Sequence, residues 1–131
     1  MGPFVIVFAG EYNLGSKDKL HRELFRLANK PRLVLDFSEV TYMDSTSVAE
    51  LLRMEHVRHV AGFEAAAVVM QAPVLMRIFN VLTLDRVFRI TPTLLEALGT
   101  DVEGVQVEYA FCGDNGTAKV PADYELVPVT T

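Results

Sequence analysis

The chain has no tryptophan and a single cysteine, Cys112, among its 131 residues. One thiol cannot close an intramolecular disulfide and supplies no thiolate metal pattern, so a reducing compartment is the expected setting. No apolar run approaches the roughly 20 residues that a helix needs to cross a bilayer. The stretch from Met1 to Phe8 lacks the positive leader of a signal peptide, and its apolar run is too short for one. A soluble, cytoplasmic protein with no membrane contact is expected. Basic clusters are also missing, and the net charge is −5, which argues against direct contact with nucleic acid. There is no glycine-rich phosphate loop, internal repeat or low-complexity linker. No histidine or lysine stands beside the carboxylates to complete a catalytic set. We therefore expect no cofactor, no metal and no enzyme.

What is present is a globular composition, with 50% hydrophobic and 22% charged residues, in a length that suits one domain. Phe4 to Gly10 reads as a buried strand, followed by a turn-rich loop from Glu11 to Ser16. A helix follows, with Ser16 as its N-cap and Leu20, Leu24, Leu27 and Ala28 on one face. Leu33 to Phe37 is a second strand. A second helix runs from about Ser45 to Val60, with Val48, Leu51, Leu52, Val60 and Ala61 inward and Gly62 as its left-handed stop. Ala65 to Met70 is a third strand, and Pro73 opens a third helix through Leu82. Val87 to Ile90 is a short fourth strand. Thr91 and Pro92 start a last helix that ends near Gly99. Four strand–helix alternations indicate an α/β layer on a mostly parallel sheet of four to five strands with about four helices.

After Gly99 the pattern changes. Val105, Val107, Tyr109 and Phe111 alternate with Gln106, Glu108 and Ala110, as in a half-buried strand. Gly113 to Gly116 is a turn signal, and Thr117 to Val120 is a candidate return strand. We divide the chain into a domain over residues 1–99 and a C-terminal β extension over 100–131, a hairpin and extended tail that pack on the sheet edge or on a partner.

The centre of the chain is the stretch from Leu33 to Leu52, a buried strand, a short polar loop and a helix start crowded with hydroxyls. The run Asp44-Ser45-Thr46-Ser47 holds more capping residues than one helix end requires. On the pattern alone, Ser45 is either a phosphorylatable switch or an N-cap, and Asp44 is an equally good cap. A phosphate adds about 1.5–2 negative charges, and a helix N-terminus can hold it. It would stand beside Asp44 and near Asp36, changing the charge of the surface that a partner reads. Thr46 is the alternative acceptor.

Three segments, in order, resemble the STAS domain family of anti-sigma factor antagonists and sulfate transporters. Phe8 to Leu14 is similar to its Gly-Glu-hydrophobic-Asp-Leu opening, with Asn13 in the Asp place. Leu35 to Val40 followed by Met43-Asp44-Ser45 is similar to its central strand, loop and phosphoserine. Pro73 to Phe79 followed by Leu82 to Phe88 is similar to its third helix and exit strand. The resemblance covers about Phe8 to Leu98. It implies an anti-anti-sigma factor, a phosphoprotein of bacterial stress-response transcription regulation. Its unphosphorylated form binds a serine/threonine kinase-type anti-sigma factor. Phosphorylation of Ser45 releases that partner and a PP2C-type phosphatase reverses the modification.

By the same resemblance the partner surface comprises Asn13, Asp36, Asp44, Ser45, Thr46 and Ser47, with a weak homodimer as a further expectation. The alternative is a constitutive scaffold subunit of a signalling or lipid-transport complex, with nucleotide binding known among relatives. Two departures stand out. Ser47 occupies a position that is Gly in many antagonists. The chain also begins too late to hold the family's extra N-terminal strand, which leaves a sheet edge for the 105–111 strand to cover.

The remaining polar residues have plainer readings. Asp36 caps the loop that follows its strand. His56 and His59, at i,i+3 with Glu55 beside them, lack a third ligand and read as a solvated face. His21 reads as surface, and Cys112 as packing.

Overall fold

The computed structural model describes residues 2–100 and 102–112. The element order is β1 (Phe4–Tyr12), α1 (Lys17–Leu27), β2 (Leu33–Met43), α2 (Ser45–Val60), β3 (Ala67–Val69), α3 (Pro73–Val81), β4 (Arg89–Thr91), α4 (Leu94–Leu98) and β5 (Gln106–Cys112). Short 3-10 turns at Leu14–Ser16 and Leu84–Arg86 precede α1 and β4. The strands form one sheet in the order β4-β3-β2-β1-β5, and every pairing is parallel. This is the α/β architecture read from the sequence.

The near-continuous apolar runs of β1 and β2 follow from burial on both faces. Phe4, Ile6 and Phe8 of β1, with Leu35 and Phe37 of β2, meet Leu20, Leu24 and Leu27 of α1, Leu51 and Met54 of α2, and Phe79 of α3. Val5, Val7, Val34 and Val69 point to the other face, where Leu94, Ala97 and Leu98 of the short α4 cover them together with Val105. Each fully buried side chain of this kind contributes roughly 1.5–3 kcal/mol. Three helices cover one face and one short helix covers the other.

The strand read from 105 to 111 is β5, hydrogen-bonded to the outer edge of β1. Its inward phase is not the simple alternation expected. Val105 is buried on the α4 face, Tyr109 is exposed and Ala110 is buried on the opposite face. The cause is a register shift: Val7 pairs with Tyr109 but Ala9 pairs with Cys112, so β5 carries one extra residue there. β2 likewise carries one extra residue against β1 at the same point, since Val7 pairs with Asp36 but Ala9 with Glu39. Tyr12, fully buried, closes the defect, because its hydroxyl accepts from the Ala9 amide at 3.1 Å and donates to the Phe111 carbonyl at 2.6 Å. The return strand expected from Thr117 and the tail beyond it lie outside the described residues.

Several boundaries differ from the sequence reading. Ser16 precedes α1 without a side-chain cap bond. Its hydroxyl instead accepts from the Asn13 amide at 3.1 Å, while Asn13 Oδ1 accepts from the Gly15 amide at 2.8 Å, so the pair caps the 3-10 turn. The last helix starts later than expected, because Thr91 completes β4 and Thr93 Oγ1 accepts from the Glu96 amide. At the C-terminal half of α2, Val60 and Ala61 face solvent, whereas Glu55 and Arg58 are buried. The helical period places Arg58 seven residues beyond Leu51, on the inward face.

Arg58 is satisfied there by Glu55 at 3.2 Å, the Glu64 carbonyl at 2.9 Å and the Lys30 carbonyl, while the Ala66 amide donates to Glu55. Burial pushes the Glu55 carboxyl up, against the opposing pull of the Ala66 amide, Arg58 and His59. Burial lowers Arg58 in turn, and Glu55 partly restores it. The expected stop of α2 is present, with Gly62 at φ 88°.

Candidate functional site

The loops that leave β1, β2 and β3 share one end of the sheet, because all three strands are parallel. At that end β2 hands over to α2 through Asp44, whose extended backbone makes it the N-cap. Asp44 Oδ1 accepts from the Ser47 amide at 2.9 Å and from the Thr46 hydroxyl at 2.7 Å. The Asp44 amide donates to the Tyr12 carbonyl at 3.1 Å, which fixes the start of α2 to the end of β1. Burial alone would raise the Asp44 carboxyl. The Thr46 hydroxyl, the Ser47 group and the Leu14 amide outweigh it and hold the carboxyl below its ordinary value.

This arrangement separates the three hydroxyls. Thr46 is half-buried and committed to Asp44, and Ser47 is fully buried. Ser45, at the first helical position, is exposed and makes no side-chain hydrogen bond among the described residues. The capping role, open in the sequence, belongs to Asp44. Ser47 sits inside regular helix with its amide bonded to the cap, so this position demands no glycine conformation.

Asn13 lies in the adjacent loop, exposed, with Leu14 next to it at 68% exposure. The structure thus brings together Asn13, Asp44, Ser45, Thr46 and Ser47. It does not bring Asp36 to them. Asp36 lies earlier on β2, fully buried on the face that α4 covers, paired across the sheet with Val7 and Val69. Its Oδ1 accepts from the Ser38 amide at 2.9 Å and the Ser38 hydroxyl at 2.5 Å, so it braces the register shift in β2, which runs on to Met43 where the sequence suggested a loop. Its charge, after desolvation, helps to raise the Tyr109 phenol.

Two cations at the site were not read from the sequence. Lys17 from α1 and Arg53 from α2 line a groove of about 160 Å³ with Ser45, Thr46 and Ala49. Ser45, Ala49 and Arg53 succeed each other at i,i+4,i+8, a spacing that signals a shared helix face. Lys17 had no such signal, because the packing of α1 against α2 brings it there. Behind the groove, buried Glu50 accepts from Arg53 at 2.6 Å and pairs with His21 at 2.9 Å. Desolvation would raise Glu50, but His21 and Arg53 hold it low. His21 is therefore half-exposed and paired across the α1–α2 seam. His56 and His59 are exposed, and no group of metal-ligating side chains occurs among the described residues. Among the described residues no helix is long and apolar enough to cross a membrane.

A five-stranded parallel sheet with three helices on one face, and a capped helix start presenting a serine at its C-terminal end, is the STAS fold. The chain belongs to the STAS family: the family model described as Mlab, STAS domain matches residues 3–96. A search of curated proteins finds no match.

Solved structures show the same fold at low identity. An anti-sigma factor antagonist from Mycobacterium paratuberculosis is 23% identical with a TM-score of 0.61, over 73% of this chain and 85% of its own. A sulfate transporter family protein from Wolinella succinogenes is 16% identical with a TM-score of 0.57, over 72% and 81%. The phosphorylated Bacillus cell fate determinant SpoIIAA is 16% identical with a TM-score of 0.53, over 74% and 89%.

Proposed function

We propose that this protein is an anti-sigma factor antagonist, a binding module without catalysis of its own. Its unphosphorylated form binds a serine/threonine kinase-type anti-sigma factor through the surface around Ser45. Phosphorylation of Ser45 by that kinase ends the contact, and a PP2C-type phosphatase restores it. The observation that carries this reading is the division of labour at the start of α2. Asp44 caps and Thr46 is tied to the cap, while Ser45 alone of the three hydroxyls is exposed and uncommitted. Leu14 and Val74, both exposed in elements at the same end of the sheet, supply apolar area for a partner. On this reading residues 1–99 carry the switch, and residues 100–131 are an extension whose first strand, β5, completes the sheet.

A second reading is favoured by the family model, whose description is Mlab, STAS domain. In it the protein is a constitutive scaffold subunit of a signalling or transport complex, and the Ser45–Thr46 surface makes a permanent contact.

A phosphosite map of the protein from its native cells, combined with partner capture by wild type and Ser45→Ala, tests both. Phosphate on Ser45, with a kinase-like partner retained by the unphosphorylated form alone, is the expected result. An unmodified Ser45, with partners indifferent to Ser45→Asp, would transfer the function to the scaffold reading.

A further inference from the structure

A second concave site lies away from Ser45. The C-terminal half of α2 and the 3-10 turn before β4 border an open groove of about 480 Å³, within the range of small-ligand pockets. Its donors are His56 and His59 from one face of α2 and Arg86 from the turn, while Leu52 and Val87 supply apolar wall.

His56, His59 and Arg86 make no side-chain hydrogen bond or ion pair among the described residues. Glu55, the acid on the wall, is held by Arg58 and the Ala66 amide and also feels His59, so it offsets these donors only in part. Among the described residues, His56, His59 and Arg86 thus leave three donors open to one groove.

We propose that this groove binds a small amphiphile carrying a phosphate monoester. Three separate donors match the three terminal oxygens of a phosphate better than the two of a carboxylate. Arg86 offers a planar fork for two of those oxygens, and His56 and His59, on the same lining, offer donors for the remainder. Leu52 and Val87 take an alkyl or aromatic tail. This site is independent of the Ser45 reading.

The test is a titration of the full-length protein with octyl phosphate, followed by imidazole NMR signals. Of the three histidines, His21 is engaged with Glu50 at 2.9 Å and serves as an internal control. The expected result is saturable shifts of His56 and His59 with His21 unmoved, and a Kd raised at least tenfold by Arg86→Gln and by His56→Gln with His59→Gln. Octanol should leave all three signals unchanged, and inorganic phosphate should bind at least tenfold more weakly than octyl phosphate.

Sedimentation with phosphatidic acid vesicles then assigns the source of the phosphate. Binding lost in Arg86→Gln places it on a lipid headgroup, and no sedimentation makes it a soluble metabolite. The proposal is overturned if octyl phosphate gives no saturable shift, if all three imidazoles move alike, or if Arg86→Gln leaves the affinity unchanged. All three substituted side chains are exposed, so the fold survives the substitutions, and a thermal melt checks it.

Discussion

Replacing Tyr12 by Phe removes one oxygen and leaves the ring, so no cavity forms and packing against Phe8 and Phe111 persists. That oxygen serves one buried and one partly buried backbone group. It accepts from the Ala9 amide at 3.1 Å and donates to the Phe111 carbonyl at 2.6 Å. Both belong to the point where β1 and β5 slip register, and no ladder bond replaces them. A buried polar group left without a partner costs about 1–3 kcal/mol, so two give a loss of roughly 2–4 kcal/mol after partial relaxation. For a domain of this size that is a fall in Tm of about 8–16 °C.

Thermal unfolding followed by circular dichroism gives the total, and amide exchange gives the location. The Ala9 amide and the β5 amides should lose protection first. The Asp44 amide should not join them, because it donates to the Tyr12 carbonyl, which Phe retains. A fall in Tm below about 3 °C, or a uniform loss of protection with no emphasis on β5, would refute the assignment of Tyr12 as the tie between the C-terminal strand and the sheet.

Asp44→Ala removes the cap acceptor of α2 and should cost about 1–2 kcal/mol in urea unfolding, whereas Asp44→Asn should cost less, since it keeps an acceptor oxygen. Arg58→Ala leaves Glu55 buried without its cation and the Lys30 and Glu64 carbonyls without a donor. A loss of about 3–5 kcal/mol is expected in the same assay, with Glu55→Gln milder. The Asp44 and Glu50 carboxyls are held below their ordinary values. Their stabilisation is complete above the ordinary carboxylate range and is lost as pH falls through the depressed folded values. Glu55, raised by burial, has the opposite sign, and stability falls as pH rises from its ordinary value through its folded one. Urea midpoints of wild type and Asp44→Asn should therefore converge towards acid pH, whereas the cost of Glu55→Gln should shrink as pH rises through the raised Glu55 value, because wild type loses stability there and the variant does not.

The sheet was legible because β1 and β2 are buried on both faces, and such strands write continuous apolar runs into the chain. The helices of the more heavily covered face announced themselves by period, as did Pro73 and Gly62 by their backbone preferences. Errors fell where tertiary structure overrode a local pattern. The α2 stripe seemed to continue through Val60 and Ala61, yet an ion pair with backbone partners makes Arg58 an inward residue. A bulge, which leaves no mark in an alternating sequence, shifted the phase of β5 between Val107 and Ala110. Asp36 reads as a neighbour of Asp44 in sequence, but strand alternation sends it to the opposite face of the sheet. Lys17 could not be assigned to the site without knowing how α1 packs on α2.

On the proposed reading, the electrostatics of the Ser45 groove favour a switch that works by surface charge rather than by unfolding. A phosphate at the first position of α2 meets the positive end of the helix dipole, an interaction of about 0.3–1 kcal/mol at an exposed site. Lys17 and Arg53 line the same groove. Asp44, ionised and next in sequence, opposes the phosphate, but its oxygens are already occupied by the Thr46 hydroxyl and the Ser47 amide. The favourable and unfavourable terms are of similar size within the domain, so modification leaves the fold close to its unmodified stability. The groove changes more than the fold does. Arg53 is already paired with Glu50 and Asp44 is ionised, so a phosphate of about −1.5 to −2 charge beside Lys17 turns the groove negative. On the proposed reading, a partner docked on the neutral serine would then meet a new negative charge, without any movement of the backbone.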